Sequence, residues 1–253
     1  MSLLRIFRPK AKGFGYKPDP HDKDRLSSLL SLSSTPPKEF SLEHLLDRIH
    51  DQGSSSSCVG QAAAAGLHLA LAYRGIKHPY PSSRWLYSVG RAYVGDEKID
   101  DGAYIRFVLK ALQKLGFCSE EEMPWDLSKI NKTPSGLAYL RAHANRGVKG
   151  YYRIQELLVE RRFLIAKQAV ASGRPVLFGM NVDKAFTESE GPSVIGLQGK
   201  KFGGHALLML GYTSDKARVL NSWGAWRDGG LCYMDEGAMS GWRDMWVLDP
   251  VGG

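Results

Sequence analysis

The run from Cys58 to Tyr73 constrains this 253-residue chain more than any other segment. Drawn as a helix, it is apolar on nearly every face, which is the pattern of a helix buried on all sides. It ends before Gly75, and Gly66 and His68 interrupt its apolar stretch. That stretch is far shorter than the ~20 residues that cross a bilayer. We therefore expect a central helix in the core of a folded domain and no membrane span.

The rest of the chain divides into a helical front half and a β-rich back half. Apolar residues at helical spacing predict an amphipathic helix over Ile105–Leu115 and another helix near Arg161–Ala171. The short runs that predict strands are Val176–Val182, His205–Leu210, Arg218–Leu220, Leu231–Met234 and Met245–Leu248. This order favours an α+β fold, with a mainly helical region at 38–150 and a β-rich region at 151–253. A cleft between the two regions is the expected place for a site.

Residues 1–37 have the composition of a tail, and they carry a disproportionate share of the formal net charge of +8. Residues 1–17 hold five basic side chains and no acidic one: Arg5, Arg8, Lys10, Lys12 and Lys17. Such an arm predicts an acidic partner, whether nucleic acid, membrane surface or protein, or else a solvated terminus. No secretory signal is recognisable, so we expect a cytoplasmic location, with virion packaging or non-classical export left open.

A loop of small polar residues delivers Cys58 to the start of the buried helix. Its sequence, DQGSSSSC, covers residues 51–58. The helix N-terminus carries about half a positive charge, which favours thiolate over thiol and lowers the pKa of a cysteine. Because the thiolate is the nucleophile, this position suits covalent catalysis. The alternative is an inert cysteine that only packs.

Two polar residues of the β-rich half could form a catalytic group with that cysteine. His205 follows Gly203 and Gly204 at the start of a predicted strand, where its imidazole can take a proton and return it. Asn221 stands in the sequence NSWG, and its amide can accept a hydrogen bond from the other ring nitrogen. Trp223 would keep water from that bond. Each pattern alone is more often structural, whereas the three together predict a nucleophilic site.

Together these residues resemble the papain-like cysteine peptidases. The order Cys58, His205, Asn221 matches, and the interval from cysteine to histidine lies within the ~130–150 residues typical of that family. Gln52 precedes the cysteine where the family keeps its oxyanion-hole amide. The resemblance covers about residues 37–248. It implies a two-lobed α+β fold, with a helical left lobe, a β-barrel right lobe and the active-site cleft between them.

The resemblance also implies a role for each residue. Cys58 would be the nucleophile, and His205 would be its base and acid in a thiolate–imidazolium pair. Asn221 would orient His205, and Trp223 would cover the bond between them. Gln52 would donate its side-chain amide, with the Cys58 N–H, to the oxyanion, a contribution of about 3–4 kcal/mol. The implied reaction is endopeptidase hydrolysis of a protein or peptide through a thioester, with no cofactor and no metal.

A substrate-binding set follows from the same resemblance. Gly102, after Asp101, would pair with the substrate backbone. The two residues Asp101 and Gly102 are also typical of a helix N-cap. Ala206 would line the main specificity pocket. Gly204 and Trp223 complete the set.

The chain departs from the secreted members of that family at three places. Val59 replaces the usual tryptophan, Ser55 replaces a disulfide-forming cysteine, and Gly102 alone replaces paired glycines. These changes resemble a disulfide-poor bacterial, archaeal and phage-type branch, and residues 14–24 resemble its short leader. The basic arm, residues 1–17, is predicted either to tether the enzyme to a nucleic acid or a partner or to lie across the cleft as a short inhibitory leader. The cysteines outside the site, Cys118 and Cys232, are expected to be buried.

Two other function classes stay open. One is acyl transfer to an amine, as in a peptide ligase or a transglutaminase-like enzyme. Asn221 argues against the transglutaminase pattern, which has an acid at that place. The other is a catalytically silent binding protein of the same fold, which the intact Cys58, His205, Asn221 and Gln52 disfavour.

Overall fold

Helices dominate the first half of the chain and strands the second half. The computed structural model describes residues 12–20, 35–188, 191–194, 196 and 199–251. The helices are α1 Cys58–Tyr73, α2 Ser83–Ala92, α3 Ile105–Leu115, α4 Gly136–Ala144, α5 Val159–Ala171, α6 Lys184–Glu188 and α7 Glu236–Met239. The strands are β1 Tyr16–Lys17, β2 Phe40–Ser41, β3 Ala103–Tyr104, β4 Val148–Arg153, β5 Val176–Asp183, β6 Ser193–Val194, β7 Lys201–Tyr212, β8 Ala217–Leu220, β9 Leu231–Met234 and β10 Arg243–Pro250.

The predicted central helix is α1, and every residue from Cys58 to Leu71 is buried. One side of α1 packs on α2, where Gly60 lies against the backbone of Ser83. The other side packs on the sheet, where Gly66 lies against Leu177 and Leu208. The helix therefore joins the helical region to the sheet, which explains why it has no polar face.

Eight strands form one mixed sheet in the order β4-β10-β5-β7-β8-β9-β6, with β2 paired to β7. All pairs are antiparallel except β6 with β9. Strand β7 is central, and its His205 lies opposite Met180 of β5. A second, small sheet joins β1 to β3 in parallel. The N-terminal residues 16–17 are thus part of the folded structure.

The α+β prediction is confirmed, as are the bounds of α1, α3 and β9. The sequence analysis missed several elements, and the longest of them are α2, α4 and β4. The buried face of α2 includes Arg91, which is fully buried. A charged residue on that face interrupts the apolar pattern that predicts a helix. In β4, Gly150 interrupts the alternation of apolar and polar residues that predicts a strand. This strand pairs with β10 at the edge of the sheet.

The predicted start of strand β7 is wrong. We expected the strand to begin at His205 after Gly203 and Gly204, yet β7 starts at Lys201 and contains both glycines. Gly203 and Gly204 pair with β5 as ordinary strand residues. The close approach that two glycines before His205 allow is present, since a Cβ on Gly204 would lie 2.2 Å from the Tyr16 carbonyl oxygen and one on Gly203 would lie 2.9 Å from the Phe14 Cβ.

The cysteines outside the site, Cys118 and Cys232, are buried as expected. Cys58, Cys118 and Cys232 are all free and buried. Burial raises the pKa of the Cys118 and Cys232 thiols to about 12, so neither is a reactive thiolate. Among the described residues, no helix has both the length and the apolar character that a bilayer crossing requires.

Close packing of α1 on α2 predicts a cost for any side chain at Gly60. A methyl group there would lie 2.7 Å from both the Ser83 carbonyl oxygen and the Tyr87 Cβ. We expect Gly60→Ala to lower the free energy of unfolding by about 1–3 kcal/mol, the usual cost of overpacking. Urea unfolding followed by circular dichroism measures it.

Gly66→Ala, on the same helix, is the matched control. Its methyl group would meet only the flexible ends of Leu177 and Leu208, at 3.2 Å. The better helix propensity of alanine offsets that crowding, so we expect a change below about 1 kcal/mol. Equal losses at the two positions would contradict the packing described.

Candidate active site

Cys58 begins α1 at the end of a loop that hydrogen bonds hold in place. The carboxylate of Asp100 accepts the Ser56 backbone N–H at 3.0 Å and the Tyr87 hydroxyl at 2.7 Å. Inside the loop, the Ser55 and Ser57 hydroxyls share a hydrogen bond of 2.8 Å. The small polar side chains of the serine run therefore provide hydrogen-bond partners for polar groups that are buried within the loop.

His205 is fully buried and is oriented by Asn221. Its Nε2 lies 2.7 Å from the Asn221 Oδ1, and that oxygen also accepts the Ser222 backbone N–H at 2.7 Å. Because Oδ1 is the acceptor, Nε2 carries the proton and Nδ1 keeps its lone pair. Nδ1 is buried without a hydrogen-bond partner among the described residues. The sequence-predicted pair is thus brought together, with one ring nitrogen free to accept a proton.

Helix α1, which begins at Cys58, packs on strand β7, which carries His205. The backbone N–H of Ala206, which follows His205, favours the thiolate form of Cys58 and lowers its pKa. Ala206 itself is buried, so its backbone as well as its methyl group belongs to this site.

Aromatic rings enclose the histidine. Trp223 stacks on His205 with ring centroids 4.5 Å apart and an angle of 28° between the planes. Phe186, on the short helix α6, lies 5.5 Å from Trp223, and Trp226 lies 4.9 Å from Phe186. Trp223 was predicted at this place, whereas Phe186 and Trp226 were not. Nothing in their local sequence distinguishes them from ordinary core aromatics.

Gln52 is buried and is held from the other side of the cleft. Its Oε1 accepts the Ser222 hydroxyl at 2.6 Å, and its backbone N–H donates to the Ser222 carbonyl at 2.9 Å. Its Nε2 donates to the Ser55 carbonyl at 2.7 Å and to the Gly13 carbonyl at 3.2 Å. Ser222 was missed by the sequence analysis, although it stands next to Asn221. It fixes the amide so that the Nε2 side faces the cleft.

Residues 12–20, here called the leader segment, lie in this cleft. The Gly13 N–H donates to the Gly53 carbonyl at 3.1 Å, and the Gly15 carbonyl accepts the Ala103 N–H at 2.7 Å. The Gly15 N–H is among the backbone groups that lower the pKa of Cys58. A Cβ at Gly13 or at Gly15 would lie 1.8 Å from a carbonyl oxygen of the serine loop. Only glycine therefore allows this approach.

The other substrate-binding candidates also meet the leader segment. A Cβ on Gly102 would lie 2.2 Å from the Gly15 carbonyl oxygen, and one on Gly204 would lie 2.2 Å from the Tyr16 carbonyl oxygen. Asp101 is exposed and forms an ion pair of 3.0 Å with Lys17. The cleft already holds an extended peptide along the residues expected to bind one.

Part of the basic arm is thus paired within the chain. Besides Lys17, Lys12 donates to the Trp223 carbonyl at 3.2 Å. The other basic residues of the arm, Arg5, Arg8 and Lys10, lie outside the described residues, as do residues 21–24 of the predicted leader. An acidic partner for the arm stays a prediction.

Burial under the leader segment sets the charge of the site. Burial raises the pKa of Cys58 to about 11, despite the backbone N–H groups around its sulfur. Burial likewise lowers the pKa of His205 to about 4, against the opposing effect of the Asn221 bond. Burial in this state therefore disfavours the expected thiolate–imidazolium pair and opposes the effect of the helix N-terminus.

Comparisons with known proteins agree with this geometry. The chain is 30% identical over 220 residues to an uncharacterized peptidase C1-like protein of Acanthamoeba polyphaga mimivirus, a match that covers 79% of this chain and 69% of that protein. The fold matches xylellain, a cysteine protease from Xylella fastidiosa, with a TM-score of 0.79 and 26% identity over 97% and 98% of the two chains.

A more distant likeness shows the fold alone. It is to proCathepsin B from Trypanosoma congolense, with a TM-score of 0.71 and 14% identity over 96% of this chain and 87% of that one. No protein-family model matches the chain. The fold and the relatives together define a papain-like cysteine peptidase. This chain belongs to that family of hydrolases, within the peptidase C1-like proteins.

Two carboxylates at the end of the leader segment make its docking sensitive to pH. The Asp19 backbone N–H donates to the Asp244 carboxylate at 2.7 Å. The Asp19 carboxylate accepts the Trp246 indole N–H at 2.8 Å and the Arg106 backbone N–H at 3.3 Å. Burial, followed by the charge of Asp244, raises the pKa of Asp19 to about 6, while the guanidinium of Arg153 opposes the shift.

The pKa of Asp19 is higher when the leader segment is docked, so protonation of Asp19 favours docking. This stabilisation of the docked segment is lost as the pH rises from about 4 to about 6. An asparagine mimics the protonated acid. A small thiol reagent labels Cys58 at a rate that we compare between the unchanged chain and Asp19→Asn. We expect the ratio of the first rate to the second to rise about tenfold between pH 5 and pH 7.5. Mass spectrometry measures both rates. A ratio independent of pH would show that Asp19 does not control docking.

Proposed function

We propose that this chain is a cysteine endopeptidase that cleaves peptide bonds with Cys58 as its nucleophile. The observation that carries the proposal is the hydrogen bond between His205 Nε2 and Asn221 Oδ1, which leaves Nδ1 free beside α1. The path of the leader segment supports internal cleavage. It runs past Cys58 with residues on both sides, as a substrate cut in its interior must.

In the first half of the reaction, His205 Nδ1 takes the proton of the Cys58 thiol, and the sulfur attacks the substrate carbonyl carbon. The carbonyl oxygen becomes an oxyanion where the Gly13 carbonyl now lies, within reach of the Gln52 amide N–H. The imidazolium then gives its proton to the leaving amine, the C–N bond breaks, and an acyl thioester remains on Cys58.

In the second half, water enters where the amine left. His205 Nδ1 takes one proton from it, and the hydroxide adds to the thioester carbonyl. The oxyanion collapses, the C–S bond breaks, and the proton returns to the thiolate. The free acid leaves, and the site is restored. Asn221 keeps Nε2 protonated throughout, so that Nδ1 is always the nitrogen that exchanges protons.

Displacement of the leader segment is the step that starts this chemistry. With the segment docked, burial disfavours both charged groups. A departing segment readmits water to the cleft, so the pKa of Cys58 falls and that of His205 rises toward their ordinary values. Proton transfer from thiol to imidazole then becomes favourable, as the helix N-terminus promotes.

Hydrolysis of internally quenched peptides tests the proposal. In the full chain, Cys58→Ala should abolish cleavage and His205→Ala should remove nearly all of it, because these two groups make and break bonds. Gln52→Ala should lower kcat by about 10²–10³, the usual loss of an oxyanion donor. Unchanged circular dichroism verifies folding. Cleavage that survives Cys58→Ala would refute the assignment.

The same assay separates hydrolysis from acyl transfer. With a nucleophilic amine present, a peptidase gives mainly the free acid, whereas a ligase gives mainly the amide. We expect the acid. Binding of peptides without any product would instead favour the silent binding protein.

Ser222 offers a subtler test, because its hydroxyl fixes the Gln52 amide. We expect Ser222→Ala to lower kcat more than KM rises, and to have little further effect in Gln52→Ala. Ser240→Ala, whose hydroxyl bonds only to the Gly237 carbonyl among the described residues, is the matched control and should be silent. Additive losses in the double variant would show that Ser222 acts by another route.

A further inference from the structure

The ring of Tyr16 fills a slot between strands β5 and β7. The residue is only 5% exposed. A Cβ added at Gly179 of β5 would lie 2.1 Å from the ring, and one at Gly204 of β7 would lie 3.0 Å from it. Two glycines on neighbouring strands thus open a space the width of a flat ring. Any side chain at Gly179 would close it.

Asp244 closes the far end of this slot. Its Oδ2 accepts the Tyr16 hydroxyl at 2.5 Å. The residue is buried and has a left-handed backbone, with φ of 45°. Arg153 forms an ion pair with its other oxygen, Oδ1. Strain of this kind in a non-glycine residue persists where the surrounding structure requires it, often at binding sites.

The slot is next to the nucleophile. Gly15, the residue before Tyr16, lies against the backbone of Ser56, two residues before Cys58, and its N–H lowers the pKa of that cysteine. Gly204, which lies against Tyr16, is next to His205. An extended peptide that follows the path of the leader segment would therefore present a side chain to this slot.

The chemistry of the slot favours tyrosine over its closest competitors. A phenylalanine would fill the same space but remove the hydroxyl donor from the buried Asp244 Oδ2, which is costly. A lysine or arginine would supply a donor but would place a second cation beside Arg153. Burial, and then the hydrogen bond to Asp244, raise the pKa of Tyr16, so its hydroxyl remains a donor.

We propose that this slot is a substrate side-chain pocket that selects tyrosine, with Asp244 as the specificity-determining residue and Tyr16 as its internal competitor. The inference rests on the proposed peptidase function. Substrate and leader segment compete for one pocket, so the features that hold Tyr16 are those that recognise the substrate.

Competition predicts the effect of changing Tyr16 in the full chain. Tyr16→Ala empties the slot and should raise peptide hydrolysis about tenfold or more. Tyr16→Phe loses only the hydroxyl and should give a smaller rise. Tyr139→Phe, at a half-exposed tyrosine of α4, is the control and should change nothing. Equal activity of all four proteins would overturn the competition.

Selectivity is tested in the Tyr16→Ala protein with a positional-scanning library of fluorogenic peptides. One position should prefer tyrosine over phenylalanine by about 10–100-fold in kcat/KM, the range expected for a hydrogen bond to a charged group. Lysine and arginine should rank below tyrosine at that position. A preference for phenylalanine, leucine or arginine there would overturn the proposal.

Asp244 is tested in the same background. Asp244→Asn keeps the shape and tolerates the left-handed backbone, so the ratio of kcat/KM for tyrosine peptides over that for phenylalanine peptides should fall. Asp244→Gly should abolish the preference. If the tyrosine preference survives both changes, Asp244 does not read the hydroxyl. If no peptide is cleaved at any position and Cys58 is not acylated, the proposed function itself fails.

Discussion

Desolvation of Cys58 and His205 is the constraint on which the rest of this site depends. Both side chains are buried beneath the leader segment, and this burial raises the pKa of Cys58 and lowers the pKa of His205. A charged pair that is buried in this way loses hydration that its mutual attraction must offset. The same residues in an open cleft would face water on one side. Docking of the leader segment therefore disfavours both charged groups.

The site is assembled from both halves of the chain through a few bonds. Gln52 precedes α1, yet Ser222, in the loop after β8, holds its amide, and Asn221 from that same loop holds His205. One short loop thus orients both Gln52 and His205, the two groups to which we assign the oxyanion contact and the proton transfer. The buried α1 helix adds Cys58 at its N-terminus, where its contacts with α2 and with the sheet fix its position.

The sequence analysis predicted the parts of this arrangement that have local signals. Cys58 starts an apolar helix, His205 and Asn221 lie at a family spacing, and Gln52 lies a fixed distance before the cysteine. Ser222 and Phe186 were missed, because a serine in a turn and a phenylalanine in a five-residue helix look ordinary in sequence. Asp244 was missed because its partners, Tyr16 and Arg153, are remote in the chain. Gly13 and Gly15 gave no signal of the close backbone approach they permit.

In the proposed reaction Cys58 carries the acyl group. Trapping that acyl intermediate tests the role of Cys58 most directly. The Tyr16→Ala protein would be mixed with an activated ester of a tyrosine-containing peptide, quenched in acid within milliseconds and digested for mass spectrometry. We expect a thioester on Cys58 that decays to the free acid. The same thioester should not form in His205→Ala. An acyl group on another residue, or none despite turnover, would contradict it.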